Sequence, residues 1–139
     1  MMTLLSTALW FALGTGIFAS LAALYGRYRT LPEIISGPLA CETVVDGCNT
    51  LFKKKEAKLL GIPNAFLGII LYLFLAIGLI SGCPLWLLVF AASFGLAMSI
   101  YLGFHLIKNR RQCRICWIGH ISNALIWLSL LIKLIVIRG

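Results

Sequence analysis

The sequence predicts an all-α integral membrane protein: a bundle of four transmembrane helices, with a long loop between the first and second that carries a cysteine pair. Three observations predict it. Of the 139 residues, 61% are hydrophobic and only 12% are charged, whereas a soluble domain averages about half apolar and a quarter charged. The apolar residues fall into four long runs. The connections between the runs are polar and unequal in length. So large an apolar surplus does not fit inside one small core, so the solvent must be lipid. The length allows a single membrane domain, residues 1–139.

The first helix is expected at about 4–25, because Leu4 to Tyr25 contains no charge. It lacks a basic start and is longer than the apolar stretch of a signal peptide, so it reads as a span. The second helix, about 59–80, is also uncharged. The third, about 84–107, carries only His105. The fourth, about 115–137, carries His120 and, near its end, Lys133. Each run reaches the roughly 20 residues that a helix needs to cross about 30 Å of hydrocarbon. Backbone groups in lipid must be satisfied within their own segment, which favours helices.

The turn Ser81-Gly82-Cys83-Pro84 joins helices two and three. The basic stretch from Lys108 to Gln112 joins three and four. Helices one and two are joined by residues 27–58, which hold all four acids of the chain: Glu33, Glu42, Asp46 and Glu56. A loop this long is usually functional. Within it, Lys53 to Lys58 are expected to form a solvated face of a short helix.

Four spans place both termini on one side and the two basic loops on the other. Arg27, Arg29, Lys53, Lys54, Lys55, Lys58, Lys108, Arg110, Arg111 and Arg114 lie on the loop side, against Lys133 and Arg138 on the terminus side. Positive charge near helix ends marks the cytoplasmic side. The charge split therefore puts the loops in the cytoplasm and both termini outside. The formal net charge of +8 reflects these helix-flanking residues rather than a nucleic-acid surface, because the loops carry no recognisable nucleic-acid fold. A small four-helix transporter is the alternative from another functional class. Proton-coupled carriers need a carboxylate within a span, and every Asp and Glu here lies in the loop.

The five cysteines are Cys41, Cys48, Cys83, Cys113 and Cys116. Cys83 sits alone in the turn on the terminus side and reads as a small apolar residue. The other four share the loop side. Cys113-Arg114-Ile115-Cys116 falls at the start of the fourth helix. First-turn N–H groups have no intrahelical partners, and the helix dipole favours an anion there. Arg110, Arg111 and Arg114 add positive charge. All of these stabilise a thiolate, the reactive form of cysteine. Residues three apart share a helix face, so the two sulfurs are placed to form a disulfide. The loop pair Cys41 and Cys48 can exchange with them through a mixed disulfide. Two other readings stay open on spacing alone: purely structural disulfides, and a four-thiolate zinc site in a metal-binding membrane scaffold.

The chain resembles the vitamin K epoxide reductase family, including its archaeal and bacterial thiol-oxidising homologues. The resemblance rests on Cys41-Glu42 and Cys48 in the loop, Gly61, and the run Asn64-Ala65-Phe66-Leu67-Gly68-Ile69-Ile70-Leu71-Tyr72. It continues through Ser99-Ile100-Tyr101-Leu102, Cys113 and Cys116, then Asn123 and Trp127-Leu128-Ser129. It implies a four-helix bundle around a quinone of menaquinone or ubiquinone type, with no catalytic metal. Cys116 would react with the quinone, Cys113 would exchange with Cys48, and Cys41 would meet a thioredoxin-like protein or substrate protein thiols. Asn64 would hydrogen-bond a quinone oxygen. The implied activity is that of a quinone-dependent thiol–disulfide oxidoreductase with net disulfide formation.

The sequence departs from the family pattern in three places. Lys53 and Lys54 stand where relatives often have serines. His120 stands where vitamin K reductases have a tyrosine. The charge split puts the cysteines on the side opposite to that of most relatives.

An amide inside a span usually faces the bundle, which supports Asn64 as a quinone contact. His120, one turn past Cys116, is placed to hydrogen-bond the quinone or to move a proton. Phe66, Tyr72, Phe94 and Tyr101 are expected to line the pocket. Gly14, Gly16, Gly68, Gly95 and Gly103 are expected to allow close helix packing.

Overall fold

A computed structural model describes residues 1–29, 58–59, 62–108 and 114–139. Cys41, Cys48 and Cys113 lie outside the described residues, as do Lys53, Lys54 and Lys55 of the expected short helix; Lys58, expected in that helix, lies instead in a short strand. Among the described residues there are four helices: α1 (Met2–Tyr28), α2 (Asn64–Ile80), α3 (Leu85–Lys108) and α4 (Arg114–Arg138). Three of them, α1, α3 and α4, are long and apolar enough to cross a membrane; α2 is apolar but shorter.

The shortness of α2 has a local cause. A helix had been expected from about 59, with Asn64 one turn inside it, but α2 opens at Asn64 itself. Proline restricts the preceding residue to extended backbone and cannot donate a helical N–H bond. Ile62 and Pro63 accordingly form a short strand, β2, paired antiparallel with β1 (Lys58–Leu59) in the register Lys58↔Pro63 and Leu59↔Ile62. Seventeen residues make a helix of about 26 Å at 1.5 Å per residue. At its far end, α2 stops with backbone bonds from Ser81 N to Ile77 O at 2.8 Å and from Cys83 N to Gly78 O at 2.9 Å. Gly82 takes φ 73° there, a left-handed conformation that glycine adopts without steric penalty.

The helices run alternately up and down. Thr15 bonds Ser122, and Ala19 lies against Gly119, so α1 and α4 are antiparallel. Gly16 lies against Tyr72 and Gly68 against Ser20, which makes α1 and α2 antiparallel. Gly78 lies against Leu88 and Gly95 against Leu71, which does the same for α2 and α3. The bonds Trp127–Ser93 and Asn123–Ser99 fix α3 against α4. Among adjacent helices the closest packing is of α1 on α4, then α3 on α4 and α1 on α2, with α2 on α3 the sparsest. This ring brings the C-terminal ends of α1 and α3 and the N-terminal ends of α2 and α4 to one end of the bundle.

The bundle is filled unevenly along its axis. Leu9, Leu13, Leu75, Leu88, Ile126 and Leu130 are fully buried in one cluster toward the α2–α3 turn. The other half, toward the loops, holds a partly open cavity, where small residues such as Ala19, Ser20, Ala23, Gly68, Gly95 and Gly119 leave space between the larger ones. Phe11, Phe18, Phe90, Phe104 and Ile107 point outward, as expected of side chains whose solvent is lipid.

Glycine sets one of the closest approaches. A Cβ at Gly16 would sit 2.7 Å from Tyr72 Cζ and 3.0 and 3.1 Å from its ring edges. The Tyr72 ring has little freedom to yield, because its hydroxyl is bonded across the bundle and the residue is 2% exposed. Gly16→Ala is therefore expected to destabilise the folded protein by about 1–3 kcal/mol, the usual range for overpacking, read as a lower unfolding midpoint in detergent. Gly14→Ala meets nothing within 4 Å and is expected to leave that midpoint nearly unchanged.

Candidate functional site

The cavity occupies the loop-side half of the bundle and has a volume of about 240 Å³. All four helices contribute to its wall, each for a reason visible in its sequence. From α1 comes the small-residue face Ala19, Ser20 and Ala23, ending in Arg27. These positions recur at helical spacing, and their short side chains leave space where larger ones would close it. From α2 come Asn64, Gly68 and Tyr72, four residues apart and so on one face. From α3 come Phe94, Gly95, Ser99, Leu102 and His105. From α4 come Cys116, Gly119, His120 and Asn123.

The cavity floor is a polar clasp across three helices. Tyr72 Oη donates to Asn123 Oδ1 at 2.7 Å, and Asn123 Nδ2 donates to Ser99 Oγ at 2.5 Å. The clasp lies where the packed half of the core ends, since Tyr72 belongs both to the buried cluster and to the cavity wall. Interhelical bonds of this kind contribute roughly 1 kcal/mol each in a membrane. The bonds between Trp127 Nε1 and Ser93 Oγ at 2.8 Å, and between Thr15 and Ser122 at 3.0 Å, fasten α4 to its neighbours below.

The reactive groups stand above this floor. Cys116 lies in the first turn of α4, half-buried in the wall. One turn later His120 lines the same space. A methyl on Gly103 would lie 4.0 Å from His120 Cδ2, an ordinary contact distance, which places the imidazole beside this turn of α3. Trp117 meets the His120 ring edge-on, with centroids 6.0 Å apart. Asn64, the first residue of α2, holds its side-chain carbonyl buried at the wall. Among the described residues, no three His, Cys, Asp or Glu side chains converge on a point that could hold a metal ion.

Of the residues expected at a quinone pocket, the structure brings Asn64, His120, Tyr72 and Cys116 to one cavity, with Phe94 at its edge. It leaves two out. Phe66 is 45% exposed and Tyr101 is 56% exposed, and neither lines the cavity. Each lies on the outward face of its helix, where an aromatic ring is solvated by lipid. Ser20, Arg27, Ser99 and His105 line the cavity although composition did not single them out as contacts. The signal for the first two was the spacing of Gly16, Ala19, Ser20, Ala23 and Arg27, which marks one small-residue face of α1.

A membrane-embedded bundle with a first-turn thiol opening onto an internal, largely apolar cavity defines a class: integral membrane proteins that carry out thiol chemistry within the bilayer. A model of the vitamin K epoxide reductase family matches residues 7–131. The chain belongs to that family, and membership makes it a membrane oxidoreductase acting in thiol redox chemistry; family members generally use quinones. Comparison with curated proteins and with solved structures returned no match.

Proposed function

We propose that the protein passes electrons from protein dithiols through Cys41 and Cys48, then Cys113 and Cys116, to a quinone, with net formation of disulfide bonds. The observation that carries this reading is the convergence of Cys116, Asn64 and His120 on one cavity at the loop end of the bundle. The cavity suits such a ligand. Its wall is mostly apolar, matching a quinone ring, and its few polar groups match the carbonyl oxygens of the ring. Small-molecule sites generally have this composition.

A bound quinone supplies a two-electron acceptor. The chain supplies the rest. The first turn of α4 stabilises the Cys116 thiolate through its N–H groups and the helix dipole. Asn64 donates its amide N–H to a ligand oxygen, and His120 provides a second polar contact. The clasp of Tyr72, Asn123 and Ser99 closes the lower end of the space and holds α2, α3 and α4 at fixed separation. The packed half of the bundle keeps water from crossing below it.

Four spans follow if α2, about 26 Å long, crosses together with its strand-like entry, Ile62–Pro63. In that arrangement the loops share one face of the membrane. The ten basic residues on that side assign it to the cytoplasm. Thiol partners, a thioredoxin-like protein or substrate proteins, would then be cytoplasmic. Cytoplasmic disulfide formation is documented for hyperthermophiles.

Two experiments test the reading. Purified protein in detergent, given dithiothreitol, is expected to reduce a methylated naphthoquinone well above the buffer rate; a rate equal to buffer would remove the quinone from the account. For orientation, a membrane-impermeant maleimide applied to intact cells is expected to leave Cys41 unlabelled until the cells are opened. Prompt labelling from outside would reverse the topology.

A further inference from the structure

The chain has two histidines, His105 and His120, and both line this one cavity, one from α3 and one from α4. His120 sits above the clasp, one turn past Cys116. His105 sits in the last turn of α3, at the end where the helices meet the loops. Rings hold it in place: Tyr101 at 4.6 Å and 65°, and Phe104 at 6.4 Å and 82°. Edge-to-face contacts of this kind orient an aromatic side chain. Among the described residues, the other ionisable side chains facing the cavity are Arg27 from α1, Tyr72 from α2 and Cys116 from α4. Arginine keeps its proton, the Tyr72 hydroxyl is committed to Asn123, and Cys116 is needed as a thiolate. The two imidazoles are therefore the groups in this wall suited to pass protons inward.

The chemistry requires such a path. This inference rests on the quinone reading above. As the Cys113–Cys116 bond forms, the two sulfurs release two electrons, and reducing a quinone to a hydroquinone takes up two protons. If Cys116 reacts as a thiolate, the pair brings only one proton, from the Cys113 thiol. The second must come from elsewhere, and the lower half of the bundle is sealed by packed leucines and isoleucines.

We propose that His105 and His120 form a proton entry from the loop-side aqueous phase into the cavity, His120 giving a proton to the ligand oxygen and His105 replenishing it. An imidazole can take a proton on one ring nitrogen as it gives one from the other, so neither ring need stay charged in the apolar wall. Each turnover then draws one proton from water, through His105 to His120, and one from Cys113. His120 touches the ligand; His105 acts through it.

The test compares wild type with His105→Gln. In 15N-histidine-labelled protein without quinone, exchange of the His120 ring N–H with water is read by NMR and is expected to slow about tenfold in the variant. With naphthoquinone and dithiothreitol, turnover is expected to fall by about 10- to 100-fold at pH 8, up to the lower end of what a directly acting proton donor contributes, because His105 acts through His120. The deficit is expected to narrow toward pH 5.5, where hydronium replaces the relay. Free imidazole is expected to restore much of the rate at pH 8, which a merely structural defect would not allow. Unchanged His120 exchange, or a turnover deficit constant with pH and insensitive to imidazole, would overturn the relay while leaving the quinone reading intact. If wild type fails to reduce the quinone at all, the reading and the relay fall together.

Discussion

Replacing Cys116 with alanine is expected to lower dithiol-dependent quinone reduction by roughly 10³-fold or more, the scale of loss seen when a reacting nucleophile is removed. The reason is positional. Cys116 is the cysteine among the described residues that opens onto the cavity, and its place in the first turn of α4 holds its sulfur there. That turn is fixed by close packing of α4 against α1, where Gly119 lies beside Ala19, and by the Asn123 clasp. The substitution removes little volume at a half-buried position, so the fold is expected to persist. The unfolding midpoint should therefore stay near that of wild type while turnover disappears. A variant that keeps more than a tenth of the wild-type rate would show that another group delivers the electrons.

Asn64→Leu is the second large effect. Asn64 opens α2 because Pro63 stops the helix from extending further back, and this brings its amide to the cavity wall. Leucine keeps its branched shape, with somewhat more bulk, but cannot hydrogen-bond. A hydrogen bond to a ligand oxygen at a buried position contributes about 1–3 kcal/mol, which corresponds to a rise of roughly 5- to 150-fold in KM for the quinone. The rate of disulfide exchange with a soluble dithiol should change much less, because the role proposed for Asn64 is toward the ligand rather than the sulfurs. Quinone titrations of the initial rate check the first expectation, and alkylation timing of Cys116 checks the second. Equal effects on both would assign Asn64 to the fold instead.

These expectations rest on features of unequal legibility in the sequence. The helices were readable because runs of apolar residues without charge have few other solutions in lipid. The start of α2 was readable only in part: hydropathy continues smoothly through Leu59, whereas Pro63 breaks the backbone pattern that a helix needs. The cavity's polar groups were the more legible ones. Asn64, His120 and Asn123 stand out because polar side chains within a span must find a polar surrounding.

Aromatic residues behaved oppositely. Phe66 and Tyr101 face lipid, while Tyr72 and Phe94 face inward or edge the cavity. Lipid and bundle interior are equally apolar, so hydropathy does not separate the two sides of a helix. The small-residue face of α1, which the sequence reading did not use, carries a clearer signal. Gly16, Ala19 and Ser20 mark where another helix or a ligand comes close, and that face leads to Arg27 at the cavity. The order of the four cysteines comes from the family resemblance, since Cys41, Cys48 and Cys113 lie outside the described residues.

The central claim is that electrons leave the protein from Cys113 and Cys116 into a quinone held beside Asn64 and His120. The most direct measurement is a single turnover. Fully reduced protein is mixed anaerobically with a methylated naphthoquinone, quenched with an alkylating agent, and its cysteines are mapped by peptide mass. The account predicts one equivalent of hydroquinone per protein, with the first-formed disulfide joining Cys113 to Cys116 and both sulfurs shielded from alkylation. Hydroquinone formed while Cys116 remains fully alkylated, or no hydroquinone at all, would contradict it.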